Sequence, residues 1–295
     1  MNPALEQMLA LYPRTSLDEV HGALREVLQA LALLGLWRGK FFEHAAFYGG
    51  TALRILHGLD RYSEDMDFSL LQPSEAFDLA VYLPTVENEL RSWGFEVESK
   101  VKSKTSKSAV ESAFLKANTE EHLLIIGAPP DLASEVPKGS ILKVKVEVDT
   151  QPPPGFSTEA RYCLLPIPFS VRVYTLPSLF AGKMHALLCR SWGRRVKGRD
   201  WYDFVWYVAR NVELDIAHLE ARMRQSGHFD GNGPLTQNML WERIAERIAR
   251  LDIEQARDDV TRFLSHKESV EVWSHDFFLD VARRVRVTPV PTAAK

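Results

Sequence analysis

The sequence has few of the features that mark secreted or membrane proteins. Its 295 residues include two cysteines, Cys163 and Cys189, which are too few and too unpatterned for a disulfide framework or a zinc cluster. No apolar run approaches the roughly 18 residues of a membrane span, and the N-terminus lacks the charged-then-apolar order of a secretory signal. We therefore expect a cytoplasmic globular protein with no membrane partner, in which both cysteines are packing residues.

A strong excess of charge of either sign is also missing. The chain has 36 Lys and Arg against 39 Asp and Glu, for a formal net charge of -3. Net charge alone therefore does not predict nucleic-acid binding, and such a partner would have to meet local basic patches. Two segments qualify, and their basic residues are Lys100, Lys102, Lys104 and Lys107 in the first and Arg190, Arg194, Arg195, Lys197 and Arg199 in the second.

Helical and strand-like patterns occupy different parts of the chain. Helical spacing predicts one helix over 16–36, capped by Ser16, and another over 74–94, capped by Ser74 and stopped at Gly94. Alternation with a period of two then predicts four strands. They are expected over 95–104, 111–118, 122–128 and 141–149.

A proline cluster separates this region from a mainly helical one. QPPPG at 151–155 cannot continue a strand, because proline removes ladder donors. Beyond Leu176 the pattern is helical in five segments, 178–190, 199–210, 214–225, 236–264 and 272–286. We predict an α+β fold, with a mixed sheet flanked by helices at 1–155, a helical bundle at 156–288 and a disordered tail at 289–295.

Two acids lie inside an apolar run. On a strand, Asp65 and Asp67 project to the same side, about 7 Å apart along the chain, while Met66 and Phe68 face a core. Like charges this close repel unless a cation neutralises them. Mg²⁺ is the natural candidate, since it is held by one or two carboxylates together with substrate phosphates. The alternative is an exposed acidic pair on an edge strand.

The strand at 141–149 offers a third carboxylate. Lys145, Glu147 and Asp149 share one face by the same alternation. If this strand lies next to the one that carries Asp67, then either Glu147 or Asp149 supplies a further metal ligand. The alternative is that both acids are solvent-facing positions of a half-buried strand.

A glycine pair precedes these acids. Gly49 and Gly50 end a short apolar strand and begin a helix, which allows backbone N–H groups to approach a phosphate. Thr51 can cap this helix or offer its hydroxyl. Combined with the two aspartates, the pattern predicts anion donors and metal ligands for one triphosphate.

Charged residues also lie on apolar stripes of two later helices. Lys183 has this position on the helix that Ser178 is expected to cap, and Asp200 and Asp203 have it on the next one. A lysine placed in this way either reaches the surface along its stem or meets a specific anion. For the aspartates, a salt bridge to Lys183 or Arg190 is the structural alternative and is compatible with catalysis.

Taken together, these segments resemble a known family. "GGTALR", "RYSEDMDFSL", "KVEVD" and "AGKMHALL…GRDWYDFVWY" are similar, in this order and over roughly residues 40–210, to the AbiEii/AbiGii toxin family of nucleotidyltransferases. That family is also similar to the mycobacterial MenT toxins and belongs to the DNA polymerase β-like nucleotidyltransferase superfamily. The resemblance implies a nucleotidyltransferase-type sheet at 1–155, with the helical domain completing the active site.

The resemblance also implies a reaction and roles for residues. The reaction is the transfer of a nucleoside monophosphate from an NTP, with release of pyrophosphate, in the presence of Mg²⁺ or Mn²⁺. It implies the catalytic residues Asp65, Asp67, Lys183 and Asp200, with Asp203 as the rival of Asp200. It further implies triphosphate binding by Gly49, Gly50, Thr51 and Lys183, and metal binding by Asp65, Asp67 and Glu147, with Asp149 as the rival of Glu147.

Partners follow from the same resemblance. Family members are the toxin half of a toxin–antitoxin or phage-defence pair, so a separate antitoxin is implied, and the acceptor of characterised relatives is RNA, notably the 3′ end of tRNA. Two alternatives are nucleotidyl transfer to a protein or small molecule, and a non-catalytic nucleotide- or RNA-binding module. The acids and Lys183 argue against a pure binding module, because burying uncompensated carboxylates gives it no advantage.

Overall fold

The structure is a computed structural model that describes residues 3–13, 16–102, 109–118, 141–190, 196–264 and 266–289. The chain forms two compact units. The first comprises Met1–Gly58, Tyr62–Pro152 and Glu159–Val173, and the second comprises Leu59–Arg61, Pro153–Thr158 and Tyr174–Lys295. The domain limits derived from the sequence stay a prediction, and the expected strand at 122–128 and residues 290–295 of the expected tail lie outside the described residues.

Helices of the first unit follow the predicted pattern in part. They are α1 (Pro3–Leu9), α2 (Leu17–Arg38), α3 (Gly49–His57) and α4 (Leu83–Ser92). Ser16 caps α2 as expected, since its side chain accepts a hydrogen bond from the Glu19 N–H at 3.3 Å. The expected cap at Ser74 is wrong, because α4 begins only at Leu83, with a proline in its first turn. Gly94 follows α4 with φ of 89°, as a helix stop requires.

The sheet of this unit is mixed. Its strands are β1 (Ala45–Tyr48), β2 (Met66–Leu70), β3 (Val97–Lys102), β4 (Val110–Asn118), β5 (Ile141–Asp149), β6 (Thr158–Cys163) and β7 (Phe169–Tyr174). They are ordered β3-β4-β5-β2-β1-β7-β6. β2 pairs with β1 in antiparallel and with β5 in parallel orientation. β6 and β7 were not predicted from the sequence.

One face of β2 packs into the core of this unit. Met66 and Phe68 are completely buried, as the alternation predicts. Phe68 stacks on Phe47 of β1 with ring centroids 4.9 Å apart. Because consecutive strand residues face opposite sides, this packing directs Asp67 to the other face of the sheet.

The second unit is mainly helical. Its helices are α5 (Leu176–Cys189), α6 (Gly198–Ala209), α7 (Ile216–Gln225), α8 (Gln237–Ala249), α9 (Ile253–Thr261) and α10 (His275–Arg283). Two short strands, β8 (Glu213–Leu214) and β9 (Arg286–Val287), pair in parallel. The predicted α+β class, a mixed sheet with helices and a helical C-terminal part, is confirmed.

Two details of the helix predictions are wrong. The segment 236–264 is two helices rather than one, since Asp252 accepts a hydrogen bond from the Gln255 N–H at 2.9 Å and caps α9. Ser178 does not cap α5, because the cap is Thr175 and Pro177 lies in the first turn. Among the described residues, no helix combines the length and the apolar character that a membrane span requires.

Candidate active site

A glycine and an aspartate of the first unit meet where β1 ends. Tyr48 is the last residue of β1 and caps α3, which begins at Gly49. Gly49 has φ of +82°, and a Cβ built on it would lie 2.6 Å from Oδ2 of Asp67. Both the backbone angle and this close approach require glycine. The Asp67 carboxylate therefore lies beside the N-terminus of α3.

The third carboxylate lies on the neighbouring strand. In the parallel pairing of β2 with β5, Asp67 is opposite Glu147, and Ser69 is opposite Asp149. The adjacency of these two strands, on which a third carboxylate ligand depends, is therefore present. Glu147 is the acid directly beside Asp67, and Asp149 is two register positions further along, on the same face.

Glu147 already has a cationic neighbour. Its Oε1 lies 2.7 Å from Nζ of Lys145, and the hydroxyl of Ser112 on β4 donates to it at 3.3 Å. The side chains of Lys145 and Glu147 are 31% and 28% exposed, so solvent weakens this ion pair. A bound cation would take the place of the ammonium group.

Asp65 lies immediately before β2, which begins at Met66, rather than inside the strand. The Thr51 hydroxyl donates to the backbone carbonyl of Asp65 and also bonds Oγ of Ser63 at 2.9 Å. Thr51 is fully buried, so its hydroxyl fixes the Asp65 backbone. It does not cap α3.

Gln29, for which the sequence predicted no role, supports the segment just before Asp65. Gln29 of α2 is fully buried, and its amide nitrogen donates to the carbonyls of Ser63 and Glu64 at 3.1 and 3.0 Å. An amide within the apolar face of a helix is the signal that could have revealed it, since buried polar groups need partners.

The carboxylates suit a hard divalent cation by their chemistry. Asp65, Asp67 and Glu147 offer only oxygen ligands, the type that Mg²⁺ and Mn²⁺ prefer. Within the described residues, these three side chains do not form a ready cluster of metal ligands. Side-chain rotation, including release of Glu147 from Lys145, would have to bring them to a shared ion.

Four charged residues form a buried network in the second unit. Nζ of Lys183 on α5 lies 2.6 Å from Oδ1 of Asp200 and 2.7 Å from Oδ2 of Asp203, both on α6. Arg61 completes the network, with Nε 2.6 Å from Oδ1 and Nη2 2.7 Å from Oδ2 of Asp203. The expected salt bridge between the aspartates and Lys183 is therefore present. Arg61 was missed as a partner.

Lys183 and Asp203 of this network keep their charges at neutral pH. Burial opposes the ammonium charge, but Asp200 and Asp203 outweigh it and raise the pKa of Lys183. Burial likewise opposes the Asp203 carboxylate, yet Arg61 and Lys183 lower its pKa. With two cations and two anions the network is formally neutral. Asp200 keeps one buried oxygen, Oδ2, without a hydrogen-bond partner among the described residues.

Comparison with protein families gives one decisive match. Residues 31–281 match the family described as "Nucleotidyl transferase AbiEii toxin, Type IV TA system". The chain belongs to the AbiEii family. It is therefore a nucleotidyltransferase of toxin–antitoxin type, as the resemblance implies, and an NTP substrate, divalent metal ions and an antitoxin partner follow for the family in general.

Two solved structures share the fold of this AbiEii chain. The structure of JHP933 from Helicobacter pylori has 16% sequence identity and a TM-score of 0.52, covering 89% of this chain and 90% of that one. A second H. pylori protein, described as a nucleotidyltransferase, has 15% identity and a TM-score of 0.50, covering 88% and 92%. A comparison with curated protein sequences finds no match.

The residues predicted for the AbiEii site thus fall into two groups. In the first unit, Gly49, Asp67 and Glu147 lie together, with Thr51 holding the backbone at Asp65. In the second unit, Lys183 and Asp200 are in direct contact and share Asp203 and Arg61. Asp149 lies two register positions from the Asp67–Glu147 pair, opposite Ser69.

Proposed function

We propose that this enzyme transfers a nucleoside monophosphate from an NTP to an RNA acceptor, the 3′ end of tRNA, and releases pyrophosphate. The observation that carries the proposal is the juxtaposition of Gly49, Asp67 and Glu147, because it sets carboxylates beside a helix N-terminus that begins with glycine. A helix N-terminus attracts phosphate, and carboxylates attract the cations that accompany triphosphates.

Each residue of the first unit has a distinct role in this proposal. The N–H groups at Gly49 and Gly50 bind phosphate oxygens, helped by the positive end of α3. Thr51 fixes the backbone of Asp65 through the contact described above. Asp65, Asp67 and Glu147 hold Mg²⁺ or Mn²⁺, which when bound supplies charge neutralisation at the reacting phosphate. Asp67 accepts the proton of the attacking ribose hydroxyl.

Lys183 binds the triphosphate in this proposal. An ammonium group has three N–H donors, and two of them point at Asp200 and Asp203. The third is available for a phosphate oxygen. Asp200 and Asp203 hold the ammonium group in place, so Asp200 acts through Lys183. Nucleotidyl transfer needs little covalent help from the protein, and positioning and electrostatics supply most of the rate.

The test is incorporation of label from each of the four α-labelled NTPs into total cellular RNA by the purified protein, followed by size separation. The expected result is label in RNA of tRNA length, formed together with pyrophosphate and suppressed by a chelator. Label in a protein fraction would favour a protein acceptor. Binding of NTP without pyrophosphate release would contradict enzymatic transfer to any acceptor.

Gly49→Ala tests the close approach to Asp67. We expect loss of activity, because the new Cβ would meet Oδ2 of Asp67 at 2.6 Å and displace the carboxylate. Gly58→Ala is the matched control: Gly58 also has positive φ, +72°, but a Cβ added there would meet nothing within 4 Å. Both variants should lose about 1–2 kcal/mol of unfolding free energy, measured by denaturant titration. Equal activity of the two would show that the contact with Asp67 is unimportant.

A further inference from the structure

Three side chains of a kind that binds transition metals meet at the C-terminal end of α5. His185 and Cys189 are four residues apart on this helix and so lie on one face. His228 follows the end of α7. One ligand atom from each of the three lies within 4.8 Å of the other two. All three belong to the second unit and have no part in the proposed reaction.

A hydroxyl group orients both imidazole rings. Oγ of Ser226 lies 2.8 Å from Nε2 of His185 and 2.9 Å from Nδ1 of His228. Ser226 thus engages one nitrogen of each ring and links the two imidazoles. A hydrogen bond to the other ring nitrogen is what usually fixes the orientation of metal-binding histidines. Ser226 itself is held by the carbonyl of Met223 at 3.2 Å.

A neutral imidazole and a thiolate are the forms of these side chains that bind a metal ion, so binding would release the thiol proton of Cys189.

We propose that His185, Cys189 and His228 bind one Zn²⁺ ion, with a fourth position open to water. A tetrahedral zinc ion holds its ligand atoms about 3.3–3.7 Å apart, so the side chains need to close by no more than about 1.5 Å. His228 is exposed, which gives the ion a path of entry. The sequence did not reveal the site, because His228 lies 39 residues beyond Cys189.

The bound ion would join α5 to the segment after α7. This link would add to the histidine–serine hydrogen bonds and fix the C-terminal end of α5. The same helix carries Lys183, two residues before His185. Nitrogen and sulfur ligands select zinc over magnesium, whereas the oxygen ligands near Asp67 select magnesium. The two sites can therefore be filled and tested independently.

The test is titration of the tag-free full-length protein with Co²⁺ in excess Mg²⁺, followed by displacement with Zn²⁺. We expect one equivalent of Co²⁺ with visible bands of tetrahedral coordination and a near-ultraviolet thiolate-to-cobalt band. Cys189→Ser should lose the thiolate band and bind at least about 100-fold more weakly, because it removes a direct ligand. Cys163→Ser and His266→Ala are the controls, since Cys163 lies in the first unit and His266 is 80% exposed.

Two further variants keep the proposal testable if Cys189→Ser does not fold. His228→Gln alters an exposed ligand and should weaken Co²⁺ binding as strongly as Cys189→Ser does. Ser226→Ala should weaken it by about 10–100-fold, as loss of an orienting hydrogen bond does. Circular dichroism in a chelator verifies folding of each variant. The proposal is overturned if the protein binds no Co²⁺ in this way, or if the control variants lose it equally.

Discussion

Glu147→Gln is expected to reduce nucleotide incorporation by at least about 10³-fold, because in the proposed function its carboxylate holds a catalytic cation, and such a ligand contributes several kcal/mol to the transition state. Asp149→Asn is expected to retain activity within about threefold. The difference follows from register: Glu147 is opposite Asp67, whereas Asp149 is opposite Ser69. Asp67→Asn should be as inactive as Glu147→Gln. The measurement is initial incorporation rate at saturating NTP and Mg²⁺.

Glu147→Gln and Asp149→Asn are both expected to leave folding almost unchanged, so a change in their incorporation rate reflects the chemical step and not the amount of folded protein. Glu147→Gln weakens a partly exposed ion pair with Lys145, which contributes about 1 kcal/mol or less. Asp149→Asn keeps an oxygen that can accept the hydrogen bond from the Gln151 N–H at 3.0 Å. If Asp149→Asn is the inactive variant and Glu147→Gln is active, the metal ligand has been assigned to the wrong acid.

Asp203→Asn is expected to lower the free energy of unfolding by about 3–5 kcal/mol, the cost of leaving a buried charge without its partner. The asparagine would place an NH₂ group against a donor, because both carboxylate oxygens of Asp203 accept hydrogen bonds from Arg61. The side chains of Arg61 and Asp203 are only 3% and 0% exposed. Chemical denaturation of the variant and the parent protein gives the measurement.

Asp200→Asn is the matched control for this substitution. It can keep an oxygen toward Lys183, which also retains Asp203, so we expect a loss of about 1 kcal/mol. A double variant, Arg61→Met with Asp203→Leu, should recover much of the stability that Asp203→Asn loses, because apolar pairs often replace buried ion pairs at little cost. Equal losses for the two asparagine variants would mean that Arg61 does not depend on Asp203.

The pH dependence of stability has a definite sign at this network. The pKa of Asp203 is lowered in the folded protein, so its contribution is complete above the unfolded pKa and is lost as pH falls through the folded value. The pKa of Lys183 is raised, so its contribution is lost only as pH rises through its folded value. The free energy of unfolding of Asp203→Asn should therefore be lower than that of the parent protein at neutral pH, and it should fall less steeply as the pH is lowered.

Local rules explain which parts of the fold the sequence could predict. Strand alternation correctly directs Met66 and Phe68 into the core and Asp67 to the opposite face. The starts of α4 and α5 were predicted incorrectly because serine caps were preferred over prolines. Pro84 and Pro177 lie in the first turns of these helices, where proline is favoured. The strands β6 and β7 were also missed, although Phe169, Val171 and Val173 alternate with Ser170 and Arg172 in β7.

Long-range pairing limits what the sequence could predict about the site. Parity gives the face of Glu147 and Asp149 but not their register against Asp67, which only the pairing of β2 with β5 supplies. Arg61 lies 142 residues before Asp203, and no local pattern connects them. Conversely, the position of Lys183 and Asp200 on apolar stripes did indicate that each needs a charged partner.

The placement of Arg61 affects how this protein can be divided into fragments. Leu59–Arg61 belongs to the second unit, although the chain on both sides of it belongs to the first. A fragment that starts at residue 156 would contain Asp203 without the guanidinium that compensates it, and a fragment that ends at 155 would contain that guanidinium alone. Separate expression of the two halves is therefore expected to yield poorly folded material, whereas co-expression can restore the pair.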